Sequence, residues 1–179
     1  GAPVATGTGA LPVTAVPSVE LRARWEAMPY HTSLGVRVEA IETDRAQVRI
    51  PFRDDNSNPG RALHGGVLAS AIDLTGALAA WTGLPAGPAL ETGVLDLSVV
   101  VLAAAIGEDI VATGEVLRRG KELAYVDVDV RTDAGKRIAA GTVTHRAFDR
   151  AANPGAAERQ RTTAAAGEPV AEVVKGARA

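Results

Sequence analysis

The stretch "NPGRALHGGVLASAIDLTGALAAW" (Asn58–Trp81) decides how this chain is read. From Gly66 onward nearly every residue is apolar or small. The run predicts a helix over residues 65–82, about 25 Å long. It ends in "TGLPAGPA", a loop with two Gly and two Pro. A helix without a polar side has to be covered almost all round by the rest of the fold. One carboxylate, Asp73, nevertheless sits in its middle.

The flanks say what covers it. Upstream, in "LGVRVEAIETDRAQVRIPF", Val36, Val38 and Ala40 alternate with Arg37, Glu39 and Glu42, and Val48 and Ile50 with Gln47 and Arg49. Period-two alternation predicts a hairpin over residues 35–52 that turns at Thr43-Asp44. Downstream, four strands are expected at about 91–102, 108–118, 121–132 and 137–147. "RRGK" and "DAGK" supply Gly for two hairpin turns. In "YVDVDV", Tyr125, Asp127 and Asp129 oppose Val126, Val128 and Val130, so one sheet face is wet and the other covered. "SVELRARWEAM" puts Leu21, Trp25 and Met28 on one face of a short helix stopped by Pro29. The expected fold is α+β: a six-stranded antiparallel sheet wrapped round one long central helix. Residues 18–148 form its domain. Residues 1–17, with three Pro and three Gly, read as a flexible lead-in, and Ala-rich 149–179 as a disordered tail.

Composition narrows the function. The net charge of -2 and two each of Phe, Tyr and Trp argue against nucleic-acid binding. With no Cys and three scattered His (His31, His64, His145), no disulfide framework, thiol nucleophile or metal site is expected. His31 and His145 read as surface or packing residues. No basic leader and no uncharged 18-residue apolar run occur, so a cytoplasmic protein without a membrane span is expected.

An ionised carboxylate in a dry interior costs several kcal/mol unless it is paired. No Lys, Arg or His lies between residues 65 and 117, so no local cation serves Asp73. Either it bonds to backbone donors or a partner's Arg, or it faces a cavity as a general base or nucleophile. Gly65 and Gly66, at the helix start, leave backbone N–H groups uncovered where the helix end favours an oxyanion, unless they only permit a tight turn. Gly66 and Asp73 are about 10 Å apart along the axis. An oxyanion donor and a base must each come within about 3 Å of one reacting group. Two antiparallel copies related by a two-fold axis would satisfy both, so an obligate dimer with composite sites is expected.

Asn58, His64, Gly65, Gly66 and Asp73, as N-x5-H-G-G-x6-D, together with the flanking strands, resemble the hotdog-fold acyl-CoA thioesterases of the phenylacetate-pathway (PaaI-like) type. The resemblance covers about residues 20–147. It implies that Asp73 attacks the thioester carbonyl or activates water, and that a Gly65 or Gly66 N–H polarises the carbonyl oxygen. Asn58 holds the water or thioester, and His64 positions the loop or contacts the thioester. It implies a dimer, and pairing of dimers into a homotetramer, with no cofactor beyond the coenzyme A of the substrate. Some relatives carry Ser or Thr on the strand after the helix; here only Thr92 offers a hydroxyl, since the aligned position is Val94. Arg118, Arg119 and Lys121 flank a turn and are candidates for the coenzyme A phosphates. A non-catalytic acyl-CoA-binding module and a hotdog enoyl-CoA hydratase or dehydratase remain as rival readings.

Overall fold

A computed structural model describes residues 18–84 and 90–149, leaving out the side chains of Leu90, Glu91 and Asp149. The expected lead-in and nearly all of the expected tail lie outside the described residues. The elements are α1 (Ser18–Glu26), α2 (Pro29–Leu34), β1 (Arg37–Glu42), β2 (Arg45–Ile50), α3 (Gly65–Thr82), β3 (Leu90–Val101), β4 (Ile110–Arg119), β5 (Leu123–Thr132) and β6 (Arg137–Asp149). Residues 18–84 and 92–147 fall in one compact unit; Leu90, Glu91, Phe148 and Asp149 fall in a second.

The sheet is the expected antiparallel six-stranded one, in the order β1-β2-β4-β5-β6-β3. The predicted alternation is realised: Val126, Val128 and Val130 are buried, whereas Tyr125 is 42 % exposed. α3 packs on the covered face against β1, β2, β4 and β5. Small residues set the spacing. A Cβ on Gly76 would lie 2.5 Å from Val143 Cγ2, and one on Gly114 would lie 3.0 Å from the Thr75 carbonyl oxygen. Either methyl would push helix and sheet apart.

Local chemistry moved two boundaries. Pro29 does not merely stop α1; it opens α2, since a first helical position needs no N–H and suits the fixed φ of Pro. Gly35, at φ 70°, closes that helix in the left-handed region. Of the two Gly expected in hairpin turns, Gly135 has φ 83°. Gly120 does not use positive φ, and its N–H donates to the Leu123 carbonyl instead.

The two sheet edges differ. At β1 the Glu26 carboxylate accepts the Val38 N–H at 2.7 Å, and Arg22 donates to the Val38 and Glu39 carbonyls, so α1 closes that edge. At β3 the side chains of Leu95, Leu97, Val100 and Val101 are exposed.

Candidate active site

α3 starts at His64, whose Nδ1 accepts the Gly66 N–H at 2.9 Å. Nδ1 is therefore unprotonated, and in the neutral ring Nε2 carries the proton. The His64 carbonyl accepts the Val67 and Leu68 N–H groups at 2.9 and 3.4 Å. Of the first-turn donors, the Gly65 N–H alone has no partner among the described residues. No atom would lie within 4 Å of a Cβ on Gly65, so the tip is open. The sequence offers either glycine as an oxyanion donor; in the folded chain Gly65 is the uncommitted one.

Asp73 lies two turns along the same helix, half-buried, with no hydrogen-bond or ion-pair partner for its carboxylate among the described residues. Burial pushes its pKa up from the ordinary carboxylate value, and the charge of His31 partly opposes this. His31 is buried, 2.6 Å through Nδ1 from the Trp25 carbonyl, with its ring 4.8 Å from that of Trp25. Nothing local in the sequence marks His31 as a neighbour of Asp73; α2 carries it there.

Asn58 is exposed, and its backbone closes the turn before the helix, donating to Ala62 O and accepting from Arg61 N–H. Its side chain has no partner among the described residues. Beside the tip opens a cleft of about 320 Å³, walled by Tyr30, Leu34 and Val67 and bounded by Asn56, His64 and Gly66. Asn56, which the sequence reading passed over, is buried and fully used: Oδ1 accepts the Arg53 N–H and Nδ2 donates to the Pro51 carbonyl. It holds the loop leading to the tip.

Thr92 is half-buried near the start of β3. Arg119 and Lys121 line a different, smaller hollow of about 130 Å³ with Gly83 and His145. Gly83 follows the last residue of α3, so they lie about 27 Å along the helix from the tip of the same chain. Arg119 is held by Asp44 through Nη2 and Nε at 2.5 and 3.0 Å. Lys121 is exposed and has no partner among the described residues. No group of three or more His, Asp or Glu side chains among the described residues could hold a metal ion, and no described helix is long and apolar enough to cross a membrane.

Comparison with known proteins agrees with the fold and the family resemblance. A family described as "Domain of unknown function (DUF4442)" matches residues 20–146. Human acyl-coenzyme A thioesterase 13 is 34 % identical over 127 residues, spanning 69 % of this chain and 89 % of the relative. The crystal structure of zebrafish thioesterase superfamily member 2 superposes with a TM-score of 0.60 at 28 % identity, covering 71 % of this chain and 93 % of that one. The E. coli PaaI protein of the phenylacetic acid degradation operon, at 20 % identity, shares the fold, with a TM-score of 0.63 over 70 % of this chain and 88 % of its own. This chain belongs to the hotdog thioesterase superfamily, in the branch that the DUF4442 description covers, and is an enzyme of the thioesterase class.

Proposed function

We propose that the chain hydrolyses acyl-coenzyme A to a free acid and coenzyme A in composite sites shared by two copies of itself. The observation that carries this is the pairing of an unpartnered carboxyl, Asp73, with an uncommitted N–H, Gly65, on one helix. Eight residues separate them, about 12 Å along the axis, so one thioester reaches the two groups only from different chains. The exposed apolar side chains of edge strand β3 support a second copy as its cover, because a long unpaired edge of this kind invites another strand. A tetramer of two such dimers extends the same reading.

The chemistry follows from the roles. The Gly65 N–H donates to the thioester carbonyl oxygen and stabilises the negative charge that grows there. Asp73 of the other copy takes a proton from water as the water oxygen attacks the carbonyl carbon. The carbon–sulfur bond then breaks, and the sulfur leaves with that proton as the thiol. A carboxyl raised by burial is the better base near neutral pH. Asn58 and the Nε2–H of His64 flank the attacked group, and Thr92 offers a hydroxyl from β3. With Arg119 held by Asp44, the exposed Arg118 and Lys121 are the cations left for a coenzyme A phosphate.

Two variants test this together. Gly65→Pro removes only the free N–H: Pro suits a first helical position, and His64 is already extended at φ −63°, ψ 139°. Asp73→Asn removes the base. Each alone should lose at least about a hundredfold in thiol release. Co-expressed with different tags and purified through both, the heterodimer carries one intact site and should recover about half of wild-type turnover. A heterodimer as inactive as its parents would rule out sites shared between chains.

A further inference from the structure

The helix face between the amide tip and the acid is not bare. Ser70 lies one turn after Gly66 and three residues before Asp73, so all three share a face. Its hydroxyl donates to the Gly66 carbonyl at 2.8 Å and lies 2.6 Å from the Tyr30 hydroxyl. With its own proton given to Gly66, Ser70 receives that of Tyr30. This chain of two bonds pins the Tyr30 ring, which is 55 % exposed, at the wall of the cleft that opens on the tip. Neither the motif nor the proposed chemistry gives Tyr30 a role.

Resting on the thioesterase reading above, we propose that Tyr30, anchored by Ser70, is the specificity-determining residue that limits the length of the acyl group. The cleft suits the acyl group better than the coenzyme. Its apolar lining is the ring and two aliphatic side chains, Leu34 and Val67, beside the polar but uncharged Asn56 and Ser57. None of its lining residues is Lys or Arg, and its one carboxylate, Asp55, is paired with Arg53. A polyanionic coenzyme tail finds no countercharge there, whereas a neutral chain leaving the Gly65 N–H does not need one. Arg119 and Lys121, two of the cations that the sequence offers to the phosphates, stand at the far end of α3. Pocket differences of a single methylene change kcat/KM by roughly 10- to 200-fold, so one ring at the wall is enough to set a length limit.

The test is thiol release across saturated acyl-coenzyme A substrates of increasing chain length, with thermal unfolding measured for every variant. Tyr30→Ala should raise the ratio of long- to short-chain kcat/KM at least about tenfold. Tyr30→Trp should move it the other way, and Tyr30→Phe, which keeps the ring, should preserve the wild-type ranking. Two variants with opposite expected shifts keep the test decisive if one of them folds poorly. A uniform change in kcat/KM at all chain lengths would mean that Tyr30 touches the part of the substrate common to all, and would overturn the assignment. An unchanged profile would overturn it equally. If the wild type turns over no acyl-coenzyme A at all, the thioesterase reading falls and this inference falls with it; a wild type that turns over with indifferent variants removes the inference alone.

Discussion

The two ends of α3 lie in one fold and treat polar groups in opposite ways. At the C-terminal end both polar side chains of the last turn, Trp81 and Thr82, are used. Thr82 Oγ1 donates to the Ala79 carbonyl at 2.7 Å and accepts the Asp44 N–H at 2.8 Å. Trp81 Nε1 donates to His145 Nε2 at 3.2 Å, and the Arg119–Asp44 pair packs over Gly83. In the N-terminal half the Gly65 N–H and the Asp73 carboxylate stand without partners among the described residues. The fold is able to satisfy polar groups on this helix, as its far end shows. Leaving two unmet at the other end marks the half where a ligand or a second chain is expected to supply the missing bonds.

The strongest way to break that contrast is to remove the charge from the unmet half. Asp73→Asn should lower turnover at least about a hundredfold. It should also raise the melting temperature at neutral pH. The sign follows from the direction of the pKa. Burial raises the carboxyl in the folded state, so the fold binds the proton more tightly than the unfolded chain does. Stability therefore falls as pH rises from the unfolded value through the folded one, and above it the ionised group is a net cost. The Asn gain should be present at neutral pH and fade below the ordinary carboxylate range. Activity and stability moving in opposite directions separates a kept functional acid from a structural one; a variant that lost both would return Asp73 to the structural reading.

The satisfied half should answer pH the other way. His145 is buried, and burial, with the nearby Arg119 charge, lowers it to about 4 from 6.5. Its Nε2 is already the acceptor for Trp81, so the neutral ring is the native one. Below pH 6.5 the unfolded chain takes up a proton that the fold refuses. Stability should fall as pH drops from about 6.5 towards 4, by up to about 3 kcal/mol from this group. Denaturant unfolding between pH 4 and 7 measures it, and His145→Gln should flatten that share of the slope. An identical slope in wild type and variant would assign the acid sensitivity elsewhere.

Much of this is legible in the sequence, and the limits are physical. The bounds of α3 and the alternating strands follow from periodicity, which depends only on near neighbours. The motif from Asn58 to Asp73 is contiguous, so it too could be read. What escaped was set by distant residues or by rotamers. Arg119 reads as a free cation because its partner, Asp44, is 75 residues away. Gly66 reads as an open donor because nothing in the sequence says that the His64 ring turns back to cap it. His31 and His145 were expected at the surface or in packing; both are buried, and Trp25 and Trp81 join them, the two indole rings 5.4 Å apart edge to face.

The finest division between the halves falls at Thr75. It is fully buried between the unmet carboxyl and the satisfied end, and its Oγ1 has no hydrogen-bond partner among the described residues. Its backbone carbonyl lies where the absent Cβ of Gly114 would be crowded, so the residue faces the sheet and not the cleft. An orphaned hydroxyl there has no ligand to wait for and costs roughly 1–3 kcal/mol of desolvation. Thr75→Val keeps the branched shape and removes the hydroxyl. It should stabilise the protein by about 1 kcal/mol in denaturant unfolding, with turnover unchanged. That outcome would make Thr75 a packing cost two residues from the proposed catalytic acid. Destabilisation by a similar amount would instead show that the hydroxyl is bonded in solution, and would move the boundary of the satisfied half up to Asp73 itself.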